Sequence, residues 1–145
     1  MTPGIRKRVA GVFVFRGEAM GERAIILAVA AGGALGAVLR YLLSGWVQTI
    51  GGARFPFGTL AANVLGSFLL GLLMSAVLDH TTASPVMRAF WAIGTLGAFT
   101  TYSTFSYETV TLISGGDWTS AGTNVAANLV LGVGAALIGL RVGAL

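Results

Sequence analysis

Four stretches of this chain, residues 24–46, 57–78, 89–107 and 119–140, contain between them a single charged side chain, Arg40. Crossing about 30 Å of hydrocarbon takes about 20 helical residues, and inside that layer every backbone N–H and C=O must find its partner within the protein. Runs of this length and polarity predict an all-α, polytopic membrane protein with four transmembrane helices. The connections "QTIGGARFP", "DHTTASPVMR" and "SGGDW" collect Gly, Pro and charge, as turns do. Trp46, Trp91 and Trp118 fall near span ends, where indole rings anchor at the headgroup level. With 55% hydrophobic and only 10% charged residues, the composition has no room for a soluble domain beside these spans.

Residues 1–19 form a basic arm carrying Arg6, Lys7, Arg8 and Arg16, and its apolar patch "VAGVFVF" is too short to span. Arg16 and Glu18 interrupt it before any small-residue cleavage site, so it reads as a membrane-surface segment rather than a secretory signal. Met20 offers a second start, and residues 20–145 make a single four-helix transmembrane domain. The formal charge of +4 depends on the arm. From Met20 onward Arg23, Arg40, Arg54, Arg88 and Arg141 meet Glu22, Asp79, Glu108 and Asp117, a net of +1 that gives no reason to expect nucleic acid. Four spans put both termini on one side, where Arg23, Arg88 and Arg141 oppose Arg54 on the other. That difference barely selects an orientation, so a chain begun at Met20 is suited to insertion both ways up, whereas the arm's cations favour a cytoplasmic amino terminus.

The chain has no cysteine, which removes disulfides and thiolate chemistry, and its lone His80, beside Asp79, reads as a solvated loop residue. No nucleophile and base pair, metal-ligand cluster or phosphate loop appears, so an enzyme is not expected. The informative residues are the polar ones inside the spans. Thr59, Asn63 and Ser67 recur every four residues on one face of the second span, and Ser120, Asn124 and Asn128 do the same in the fourth. Two such stripes suit a lined path, and they also suit interhelical hydrogen bonding. In "GTLGAFTTYSTFSYE", Thr100, Thr101, Ser103, Thr104 and Ser106 are too consecutive to share one face. Either the helix breaks there, with Gly94 and Gly97 supplying backbone freedom and freed carbonyls able to hold a hard cation, or it continues with its hydroxyls bonded back to its own carbonyls. Tyr102 and Phe105 lie three apart, so their electropositive ring edges, with the Asn63 amide, could hold an anion; packing is the other use of such rings. Gly32 and Gly36 form a GxxxG pair, and Gly66, Gly71, Gly132 and Gly134 stud later spans, suiting close helix contact.

Three ordered segments, "GGALGAVLRY", "FPFGTLAANVLGSFLLG" and "GTLGAFTTYSTFSYE", resemble the signatures of the Fluc (CrcB-type) fluoride channels of microbes. The resemblance runs from about residue 32 through the third span, with a looser continuation in the fourth. It implies a passive, fluoride-selective channel in the cell membrane that exports fluoride and relieves its toxicity, built as an antiparallel, dual-topology homodimer with a broken third helix. It further implies a structural Na+ at the dimer interface, held by backbone carbonyls of Gly97 and Thr100. By position, Asn63 would line the pore, Tyr102 and Phe105 would form an aromatic box, and Ser103 and Thr104 would donate nearby. Asn124 and Asn128 would continue a fourth-span track, and Arg40 and Glu108 would sit toward the vestibule or support it. Tyr102 stands where many members have Phe, Asn124 where Tyr is common and Asn128 where Ser is common. From the residues alone, two further readings stand beside the channel. A small dual-topology multidrug exporter fits the four short spans but lacks a deep carboxylate, and a structural membrane subunit would use the Asn and Gly faces to bind a larger partner.

Overall fold

A computed structural model of the chain describes residues 19–78 and 83–145. The basic arm up to Glu18, and the Asp79 and His80 pair, lie outside the described residues. The regular structure of the described residues is all helical, without strands. In chain order they form α1 (Ala19–Gly51), α2 (Phe57–Leu73) with a π-helical extension Met74–Leu78, α3 (Pro85–Arg88), a π-helical segment Ala89–Leu96, α4 (Gly97–Phe99), α5 (Tyr102–Ser114) and α6 (Trp118–Gly143). Three continuous helices, Gly21–Gly51, Phe57–Val77 and Trp118–Gly143, are long and apolar enough to cross a membrane. The remaining apolar stretch is divided. Thr100 (ψ 155°) and Thr101 (φ −148°, ψ 112°) are extended, so α4 ends and α5 begins across a two-residue break.

Local chemistry sets these ends. Ser84 accepts the Met87 N–H at 3.2 Å and Pro85 follows as the first helical residue, a position where its missing N–H is harmless. Thr101 caps α5 by accepting from the Thr104 N–H at 3.2 Å. Asp117 caps α6 by accepting from the Ser120 N–H at 3.0 Å, just after Gly116 turns the chain at φ 79°. Ser120 therefore serves the helix start as well as the stripe expected along the fourth span.

The most extensive packing is of α6 along α2, followed by α1 against the π segment. Glycine makes both contacts possible. A Cβ at Gly32 or Gly36 would collide with the carbonyls of Phe90 or Thr95, so this GxxxG pair seats the upstream part of the divided stretch within one chain. On the other side, a Cβ at Gly71 would run into the Ala136 carbonyl and one at Gly139 into the Phe68 carbonyl. Gly134 meets nothing within 4 Å and Gly132 only the Ser67 hydroxyl at 3.8 Å, so these two are not close-packing positions within the chain.

The break has a different cause from the one expected. Gly94 and Gly97 do not bend the backbone by unusual torsions: Gly97 is helical at φ −64°, and the positive-φ glycines among the described residues are Gly52 and Gly116. Gly94 is small because a Cβ there would stand 2.8 Å from the Val29 carbonyl of α1. The chain leaves the helix at two threonines in ordinary extended torsions, and what holds it open is a side chain from α2.

Candidate functional site: a polar line between two grooves

That side chain is Asn63, which faces the break one turn after Thr59 on α2. Its Oδ1 accepts the Thr101 N–H at 2.8 Å, and its Nδ2 donates to the Thr101 carbonyl at 3.3 Å and to Asn128 Oδ1 at 2.9 Å. An amide carries one acceptor and two donor hydrogens, so Asn63 stands in for the peptide that a continuous helix would place beside Thr101. Two carbonyls lose their usual partners as a result. In an unbroken helix the Thr101 N–H would bond the Gly97 carbonyl and the Thr104 N–H the Thr100 carbonyl. Here the first N–H goes to Asn63 and the second to Thr101 Oγ1. The Ala98 carbonyl between them is taken by Arg40 Nε at 3.0 Å. Arg40 thus supports the frayed turn from α1.

The hydroxyls divide into two groups. Thr100 bonds back to the Leu96 carbonyl (3.1 Å), Ser106 to that of Tyr102 (2.9 Å) and Thr109 to that of Phe105 (2.8 Å), as a continuous helix would also allow. Thr101, Ser103 and Thr104 instead cluster at the start of α5. Thr101 Oγ1 lies 2.9 Å from Thr104 Oγ1 and 3.4 Å from Ser103 Oγ, and Ser103 is exposed.

From Asn63 the polar line runs both ways. Toward α6, Asn128 Nδ2 donates to Asn124 Oδ1 at 3.0 Å and Asn124 Nδ2 donates to Thr109 Oγ1 at 2.9 Å. Asn124 is completely buried, so it acts as the inner link of this chain of amides rather than a surface donor within one protomer. In the other direction along α2, Thr59 Oγ1 donates to Glu108 Oε1 at 2.7 Å. The second carboxylate oxygen, Glu108 Oε2, is buried and has no hydrogen-bond partner among the described residues.

Asn63 and Asn128 in the middle of the line border one groove, and its Glu108 end borders another. One, of about 300 Å³, is lined by Asn63, Ser67, Thr101, Tyr102, Phe105 and Asn128, among others. The Tyr102 and Phe105 rings stand 5.6 Å apart at 53° to one another, and Tyr102 is 80% exposed. The other, of about 260 Å³, is lined by Arg54, Tyr107, Glu108 and Thr111 with the α1–α2 connection. The fold therefore brings Asn63, Tyr102, Phe105 and Asn128 to one groove and Glu108 to the other, while Thr104 bonds Thr101 at the start of α5 and Asn124 links Asn128 to Thr109. Gly97 and Arg40 stand at the break, and Thr100 joins it to the first groove. Sequence reading passed over Thr109 and the Thr59 to Glu108 bond. Thr109 lies four residues after Phe105, on the same helical face, which is the signal that could have flagged it.

Among the described residues no group of three His, Cys, Asp or Glu side chains could hold a metal ion. The donors on offer for a hard cation are the main-chain oxygens of Gly97 and Thr100, and their lost helical partners fit that use.

Comparison with known proteins identifies the family. Residues 27–140 match the family described as CrcB-like protein, Camphor Resistance (CrcB). A protein of Sulfurovum sp. (strain NBC37-1) named fluoride-specific ion channel FluC is 47% identical over 116 residues, covering 80% of this chain and 90% of the relative. A Geobacter sulfurreducens protein of the same name is 53% identical over 106 residues, 73% of this chain and 86% of the relative. One from Shewanella sp. (strain ANA-3) is 50% identical over 106 residues, 73% and 85% respectively. Matched over most of its length to the family and about half identical to these relatives, the chain belongs to the CrcB family.

Proposed function

We propose that this chain is a passive, fluoride-selective channel of the cell membrane and not an enzyme. The observation that carries the reading is the identity of about half to relatives named fluoride-specific ion channel FluC, over 85–90% of their lengths. That shared name favours the channel over the small multidrug exporter. The geometry supplies a mechanism. Fluoride is small and strongly hydrated, so leaving water requires successive donors, and the site offers the amides of Asn63 and Asn128, the hydroxyls of Ser103 and Thr104 and the ring edges of Tyr102 and Phe105. None of these carries a full positive charge, so an anion is solvated without being trapped. The Asn63 donors are engaged by Thr101 and Asn128, and a passing anion would exchange with those partners in turn.

Two copies inserted antiparallel would complete the channel, with the divided stretch making the fourth crossing of each. Support comes from the surface that one chain leaves open: Tyr102 is 80% exposed, Tyr107 74% and Leu129 66%, and these side chains need lipid or a second copy against them. Na+ between the copies would be held by the Gly97 and Thr100 carbonyls of each, supplying a fixed charge that locks the broken turns together. Glu108 and Arg40 act as supports, Glu108 at the mouth of its groove and Arg40 on the frayed turn.

Reconstitution in liposomes with a fluoride-selective electrode tests the reading. Fluoride efflux without matching chloride efflux is expected, falling when sodium is replaced by a bulky organic cation during purification. Equal chloride flux, or no flux, would refute it.

A further inference from the structure

The second groove opens beneath the connection between α1 and α2, and that connection is built as a bracket rather than a slack loop. One side chain closes it. Gln48 Oε1 accepts the Gly58 N–H at 3.0 Å, and Gln48 Nε2 donates to the carbonyl of Phe55 at 2.9 Å and to that of Gly52. The Gly52 N–H returns to the Gln48 carbonyl at 3.0 Å, with Gly52 at φ 83°, and the Phe57 N–H bonds the Phe55 carbonyl at 2.9 Å. The rings of Phe55 and Phe57 meet with centroids 4.8 Å apart, tilted by 53°. Arg54 is carried at the centre of this bracket. It is exposed, it lines the groove with Glu108, and among the described residues it makes no hydrogen bond or ion pair.

We infer that Arg54 is the anion-collecting charge at the groove mouth above Glu108, and that Gln48 is the positioning residue that holds it there; the inference rests on the channel reading. Guanidinium is charged at every relevant pH and weakly hydrated. At the rim of a cleft with low-dielectric walls such a charge raises the local anion concentration. Glu108 lines the same groove, but one of its carboxylate oxygens accepts from Thr59 and the other is buried, so Arg54 is the exposed charge there. Arg54 and Glu108 share the groove without pairing, so the cation is not consumed by the carboxylate and remains available to passing ions.

Unitary fluoride conductance in planar bilayers of neutral phosphatidylcholine tests this, at low ionic strength and again with added impermeant sodium gluconate. A unit charge about 8 Å from a passing ion in water-like surroundings changes its local concentration about two- to threefold. Arg54→Gln should therefore lower the low-salt conductance about two- to threefold, and Arg54→Glu about five- to sixfold, with both converging on the wild type once the Debye length falls to about 3–4 Å. Arg54→Lys should recover most of the loss. Gln48→Ala should reproduce the Arg54→Gln deficit and leave little for a second substitution at Arg54 to remove. An Arg54→Glu channel that conducts as wild type at low salt overturns this inference alone. So does a deficit that persists undiminished in high salt, the mark of a merely structural role. A wild type without fluoride current overturns both this and the channel reading.

Discussion

Upstream of Thr100 the divided stretch buries one face against α1, and downstream of Thr101 it buries none of its residues. In the upstream part Ala89, Ala92, Gly94, Thr95, Leu96 and Phe99 are buried, pressed on α1 through Gly32 and Gly36. In α5 no residue is buried, and Tyr102, Tyr107 and Val110 are largely exposed. One part is held by backbone approaching backbone, where shape decides everything. The other is held by directed polar bonds through Thr101, Asn63 and Glu108, which leave its surface free for other partners. A helix whose two ends answer to such different constraints gains by dividing between them. Asn63 then covers the N–H and carbonyl of Thr101, and Arg40 the carbonyl of Ala98.

The contrast can be broken most severely on the sealed side. Gly36→Ala places a methyl against the Thr95 carbonyl, whereas Gly33→Ala, three residues earlier, meets nothing within 4 Å. The first should destabilise by about 3 kcal/mol, and the second should be neutral or gain up to about 1 kcal/mol of helix propensity. Melting temperatures of the detergent-solubilised protein would show the difference, and equal values for the two would refute this account of the interface.

A middle-sized effect is expected where the two parts are joined. Asn63→Asp keeps an acceptor for the Thr101 N–H but loses both donors, leaving the Thr101 carbonyl and Asn128 Oδ1 short of a partner. The expected loss is about 1–3 kcal/mol of stability together with at least about tenfold lower fluoride efflux, since the replacement also brings a negative charge to the path. Wild-type efflux from this variant would remove Asn63 from the pathway.

The smallest effect sharpens the open side. Asp117 lies outside the helices and its carboxyl is held below the ordinary range by its bonds to the Ser120 backbone and then side chain. Because the folded value is depressed, the capping contribution is present above the ordinary carboxylate range and is lost as pH falls through the lowered value. Asp117→Asn should therefore flatten the acid side of the stability profile slightly, and an unchanged acid slope would show that the cap contributes nothing.

Much of this was legible in the chain itself. Runs of helical length with a single charge among them named the membrane, the four-residue spacing put Thr59, Asn63 and Ser67 on one face, and the crowding of hydroxyls after Phe99 marked a place where the helix either parts or bonds its hydroxyls back to itself. Other features could not be read there. Which nearby glycines bend and which merely make room depends on what lies opposite them: Gly94 and Gly97 read as hinges but have no positive φ, Gly94 lying in the π-helical segment against the Val29 carbonyl and Gly97 in helical torsions. Likewise Ser120 and Asn124 share a stripe, yet one serves a cap and the other is wholly buried.

The sequence by itself determined the solvent and the elements, because the cost of bringing polar groups into hydrocarbon is large and depends only on residue type and run length. Only the tertiary structure decided that Asn63 replaces a peptide at Thr101, that Arg40 takes the Ala98 carbonyl and that the Thr101 and Thr104 N–H groups turn away from the Gly97 and Thr100 carbonyls. Hydrogen bonds are short-ranged and directional, so pairs 38 and 58 residues apart exist only once the helices that carry them have packed.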